Sequence, residues 1–397
     1  MNAENAPSAD GRRTGPGRAH RRGPRSRRAA VAAALAVAVL GGCAGTGSAG
    51  PAPGTGTAPA PASAPRSSPL PAGTGTPPGT LLVADFGADT VTFVDPVRGP
   101  LGSVPVGTAP YGLAVGADGR AWVATAEGVA VVDTRTRESL GRIPYRTATG
   151  PVTGGEYRGG GMGIALAPDG GRLYVGVNVP DGPGTVEVID TASRRTVAAV
   201  PVGRRPFDVD VARDGSAVYA TNHDSFDVTA VDTRTLAPRR FEVAPYGAEG
   251  GLGSWLKPHY AVVREDGRLL LPFEGERLAV LDPRTGRVTV ERMTANTHQH
   301  GAALTPDGTL LAVGTGPVGS SGEEASLTIR TTDGRERIVP LDGPHEDVAV
   351  ARDGRTAYVT GGFTRDGYWN GITVVDLATA AARRLPGGER PLGIAVL

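Results

Sequence analysis

The 397-residue chain has one cysteine, three tryptophans, three methionines and a single lysine, Lys257. A lone cysteine rules out an internal disulfide framework and any zinc or haem site built on several cysteines. Aromatic residues make up only 5% of the chain, and there is no apolar run of the roughly 20 residues needed to cross a bilayer as a helix. Also missing are a Gly-rich phosphate loop that opens a helix, a Gly-x-Ser-x-Gly elbow and a helix-spaced His-Glu-x-x-His pair. Nucleotide-dependent and serine-hydrolase chemistry of those kinds is thereby disfavoured. What is abundant is glycine, at 60 residues, and proline, at 34, a composition suited to many short strands joined by tight turns.

The first 42 residues read as an export signal: eight arginines up to Arg28 and then an apolar run over 29–40, too short for a membrane anchor. Leu40-Gly41-Gly42-Cys43 follows it and resembles a bacterial lipobox, which makes Cys43 the expected lipidation site. Ser26-Arg27-Arg28 leaves the Sec and twin-arginine export routes both open. Residues 43–79 are almost wholly Pro, Gly, Ala, Ser and Thr, too apolar-poor to fold, and are expected to form a tether. The expected location is the outer face of the cell membrane, with the lipid anchor as the membrane contact. Removing the eight arginines and two acidic residues of the signal from 41 basic and 40 acidic residues leaves a formal excess of five negative charges. Nucleic acid is not an expected partner of such a chain.

Beyond residue 80 one unit recurs every 40 to 55 residues, the spacing of propeller blades. Each unit opens with an alternating apolar run that ends in Asp-Gly, at 118–119, 169–170, 214–215, 266–267, 307–308 and 353–354. A second run follows, such as Val218-Tyr219-Ala220-Thr221-Asn222, and then a third ending in apolar-Asp, such as Val132-Asp133 and Val231-Asp232. These aspartates are expected to close turns. The chain enters on a second-type strand at Leu81 and leaves on a lone first-type strand at 391–397. The two ends therefore complete one sheet, giving an all-β, seven-bladed β-propeller over 80–397 with N- and C-terminal strands closing one blade. A closed ring of this kind is expected to be a monomer.

Val-Tyr-Ala-Thr-Asn at 218–222 and Tyr-Val-Thr-Gly at 358–361 resemble the YVTN repeat. The resemblance covers nearly all of 80–397 and implies a propeller similar to the YncE-like extracytoplasmic proteins. Being made of core and turn residues, it implies a fold and not an activity.

Aligning the units on Asp-Gly and counting seven residues upstream gives one side chain per blade: Tyr111, Met162, Phe207, His259, His300 and Glu346, with Leu392 completing the ring. His298 and His345 stand beside this ring. His259, His300 and Glu346, with His298 and His345, are candidate ligands for a divalent transition metal or an acid/base set. His223, Trp255, Lys257, Tyr368 and Trp369 are candidates to bind a ligand on the same face, and Glu156, Tyr157 and Arg158 on the long loop 145–160 are candidates to line it. No catalytic residue is assigned. Two functions stay open: a membrane-tethered module binding a small molecule or an envelope protein, and a metal-assisted lyase or lactonase-like enzyme.

Overall fold

In a computed structural model the described residues are 76, 79–243, 257–273, 277–295, 298–315, 324–362 and 367–397. The expected signal peptide, Cys43 and nearly all of the tether lie outside them, as does Trp255. The described residues fold into seven four-stranded antiparallel sheets, with a single three-residue 3-10 turn at His223–Ser225 as the only helix among them. Six sheets are formed by four consecutive strands each. The other places the last strand, Pro391–Val396, against the first, Leu81–Asp85. Gly79 N donates to Leu397 O at 2.8 Å and Leu397 N to Thr80 O at 2.8 Å, so both ends of the ring are pinned in one blade. Blades are numbered from this one.

The repeat supplies both faces of each blade because strand side chains alternate. In blade 4, Tyr219, Phe226, Val228 and Phe241 pack against Leu269, Leu271, Ala279 and Leu281 of blade 5. On the opposite face Val218, Ala220 and Val231 meet Tyr174, Val186 and Val188 of blade 3. Each such buried aliphatic side chain contributes roughly 1.5–3 kcal/mol. The Asp-Gly glycines all take a left-handed backbone, from φ +70° at Gly170 and Gly354 to φ +83° at Gly308, which a β-branched residue would resist. The apolar-Asp residues close turns: Asp133 Oδ1 accepts from Arg135 N at 2.8 Å and Thr136 N at 3.1 Å, and Asp232 Oδ1 from Thr235 N at 2.7 Å.

The inner strands approach one another very closely. A Cβ on Gly163 would lie 2.4 Å from Asp208 Cα, and one on Gly301 2.6 Å from Asp347 Cα. Glycine at these places lets neighbouring inner strands bond directly, as where Gly301 N donates to Glu346 O at 2.8 Å. This contact joins the strand that carries His300, Gln299–Leu304, to the backbone of Glu346 just ahead of Val348–Val350.

Candidate functional site

Each ring side chain projects from the start of an inner strand, where the chain enters the blade. Tyr111, Met162, Phe207 and Leu392 gather with Phe86 into one buried apolar cluster, against which Tyr260 packs. His259, His300 and Glu346 continue the ring and are 2%, 3% and 1% exposed. Phe207 joins the two halves, with its ring centroid 5.1 Å from His259 and 6.1 Å from His300.

Four of the six histidines form one group. His259 and His300 stack at 4.1 Å between centroids, His298 lies 4.8 Å from His259 and 4.5 Å from His300, and His223 lies 4.4 Å from His259. One nitrogen from each of His259, His298 and His300 falls within 4.8 Å of the others. His298 Nε2 and His300 Nε2 are 3.4 Å apart, matching the edge of about 3.4 Å expected between two nitrogens on a tetrahedral ion bonded at about 2.0–2.1 Å. The His298-Gln299-His300 spacing explains this pair, because residues two apart share a face of a strand.

Glu346 lies behind the group. His300 Nδ1 is 3.0 Å from Glu346 Oε1, which accepts from Tyr260 Oη at 3.2 Å and Tyr111 Oη at 3.4 Å. Burial pushes the Glu346 carboxyl well above its usual range, helped by the charges of Asp347 and Glu156 and opposed by the two tyrosine hydroxyls. A dication on His300 would draw it back toward the carboxylate. Glu346 lies outside the three-histidine group and faces it through His300 Nδ1.

His345 is not part of the group. Its Nδ1 is 2.8 Å from Gly343 O and its Nε2 2.7 Å from Thr373 Oγ1, both nitrogens being used within its own blade. The reason is register. His345 occupies the place that Pro110, Pro206, Pro258 and Pro391 hold in other blades, immediately before the ring residue, and alternation turns that position away from the channel. Trp369 accompanies it, 5.7 Å away and beneath the Arg384 guanidinium, while the exposed Tyr368 ring lies 4.6 Å from Arg390.

His223 and Lys257 meet at Asp224, whose oxygens lie 2.7 Å from His223 Nδ1, 3.2 Å from Lys257 Nζ and 2.8 Å from Arg205 Nη2. Burial works to raise the Asp224 pKa, yet the His223 hydrogen bond and the nearby positive charges outweigh it and hold the group ionised. Burial lowers the His223 pKa to about 4 against the pull of Asp224. On the long loop, Tyr157 lies under Arg205 at 3.9 Å, whereas Arg158 is buried and donates to Ala109 O, Gly159 O and Gly161 O. Tyr260 and Arg205 were not visible from the sequence as site residues.

No family model and no curated protein matches this chain. Solved structures do. A functionally unknown protein from Desulfotomaculum acetoxidans matches with a TM-score of 0.59 at 11% identity, over 80% of this chain and 98% of its own. Hydrazine synthase of Kuenenia stuttgartiensis matches at 0.58 and 19%, over 72% and 88%. A catalytically inactive virginiamycin B lyase from Staphylococcus aureus, with quinupristin, matches at 0.51 and 14%, over 77% and 88%. At these identities the likeness shows the fold. The chain is a seven-bladed β-propeller with a histidine-rich group at one end of its inner strands.

Proposed function

We propose that this protein is an extracytoplasmic, lipid-tethered propeller of the YVTN-repeat, YncE-like kind that binds its ligand through a divalent transition-metal ion. The observation that carries the reading is the buried trio His259, His298 and His300, with ligand atoms within 4.8 Å of one another. Three imidazoles favour Zn²⁺ or Cu²⁺ over Mg²⁺ or Ca²⁺, which take oxygen ligands, and three protein ligands leave a position open for a bound molecule. Glu346 at 3.0 Å from His300 Nδ1 supplies the carboxylate that commonly fixes a ligating imidazole.

The His223–Asp224 pair favours a second reading, a metal-assisted lyase or lactonase-like enzyme, because it places a nitrogen base beside His259. His345 takes no part in that reading, since both its nitrogens are engaged elsewhere. The primary reading is tested by dialysing the purified full-length chain against Zn²⁺ and then against metal-free buffer, followed by elemental analysis. About one ion retained per chain is expected. Retention of no zinc, copper, manganese or iron would overturn it.

A further inference from the structure

His259, His298 and His300 are 2–3% exposed, so anything they bind has to be let in. Between blades 2 and 3 the chain makes a long excursion at this end of the ring, over residues 149–159. Its ends meet: a Cβ on Gly159 would strike the carbonyl of Thr149, which makes the segment a closed Ω-loop. Both sides of the neck are fixed. Before it, the fully buried Glu187 accepts from Arg146 N and Thr147 N at 2.7 Å each. After it, the buried Arg158 donates to Ala109 O and Gly161 O, and its own carbonyl accepts from Asn178 Nδ2 at 2.7 Å.

The part between is held far more lightly. Residues 150–155 are exposed, and a Cβ on Gly150, Gly154 or Gly155 would meet no atom within 4 Å. Contact with the mouth comes from the two residues that follow. Glu156 lies close enough to act through its charge on Tyr111 of blade 2 and on Glu346 of blade 7. Tyr157 reaches blade 4, where its ring lies 3.9 Å from the Arg205 guanidinium while staying 49% exposed. Arg205 is itself held 2.8 Å from Asp224, Asp224 lies 2.7 Å from His223, and His223 rests 4.4 Å from His259. An exposed cation–π contact is weak, so a rigid neck here carries a span latched by a contact that opens readily.

We infer that residues 149–157 form a lid over the histidine group, latched by Tyr157 on Arg205, and that its opening admits whatever the group binds. The lid serves the site of the metal reading, and its test needs no ion.

The test is carbethoxylation of the metal-free full-length chain by diethyl pyrocarbonate, read histidine by histidine by mass spectrometry. Tyr157→Ala should speed modification of His259, His298 and His300 by about two- to fivefold, the weight of one exposed cation–π contact, and replacing residues 150–157 by two glycines should speed it further. Tyr157→Phe, which keeps the ring, should match the parent. His345, engaged within its own blade, should react at one rate in all four chains, which shows that each variant is folded. Unchanged rates at the three histidines in both opened variants overturn the lid, as does an equal rise at His345, which marks unfolding instead of opening. In the zinc-loaded chain Tyr157→Ala should speed uptake and release alike with affinity unchanged, because a lid alters the path and not the bound state. Histidines that respond to Tyr157→Ala in a chain retaining no zinc keep the lid and defeat the metal reading alone.

Discussion

His298→Ala combined with His300→Ala is expected to lower Zn²⁺ affinity by more than about a hundredfold, because two of three ligands vanish and the remaining imidazole is no better than a surface histidine. Two neighbouring substitutions sharpen the result. Glu346→Gln keeps the shape but replaces the carboxylate that faces His300 Nδ1, and should cost about 10–100-fold in affinity. His345→Ala should leave affinity unchanged while lowering stability by about 1–3 kcal/mol, through loss of its contacts to Gly343 O and Thr373 Oγ1. Competition with a chromophoric chelator measures the affinities and urea unfolding the stabilities. Metal loss in His345→Ala alongside retention in the double variant would reverse the assignment of these histidines.

Asp85→Asn should make the protein more stable at pH 8 and flatten its stability between pH 4 and 7. Asp85 lies on Leu81–Asp85, the strand that receives the C-terminal one, and is 1% exposed. Its Oδ2 accepts from Thr90 Oγ1 at 2.9 Å and from Thr92 Oγ1. Burial dominates these bonds and raises its pKa from 3.8 to about 7. An acid whose pKa is raised on folding holds its proton in the native state after the unfolded chain has lost it. Stability from this group is therefore whole below about pH 4 and falls as pH rises to 7, by about 4 kcal/mol in all. Asparagine cannot ionise, and Asn222 holds the matching place in blade 4, paired with Asp227 as Asp85 is with Thr90. Urea unfolding of parent and variant at pH 5 and pH 8 decides the matter: a midpoint difference between the two chains that is the same at both pH values would show that Asp85 is ionised when folded. Asp347, at about 7, and Asp208, at about 6, act in the same direction and would leave part of the slope in the variant.

The blades were legible because the Asp-Gly turns and the apolar-Asp ends recur at fixed offsets, and both depend on local backbone chemistry. The ring was legible for the same reason: seven residues before the Asp of Asp-Gly, Tyr111, Met162, Phe207, His259, His300 and Glu346 share one structural position. Facing direction was harder to read. His298 and His345 both flank ring residues, yet one stands two residues before and the other one residue before, and strand alternation sends them to opposite sides. Tyr260 reaches Glu346 across the channel through the length of its side chain, a contact between residues 86 apart that no local pattern marks. The Asp224 cluster likewise depends on Arg205 and Lys257 entering from different blades. Trp255 lies outside the described residues, and Trp369 pairs with His345 instead of the histidine group.

Zinc K-edge absorption on the loaded full-length chain tests the central claim most directly, since it counts imidazoles around the ion. The account predicts three, with nitrogens at about 2.0–2.1 Å and one further light ligand. A shell of oxygens, or of a single imidazole, would contradict it and leave the histidines as packing within the mouth of the ring.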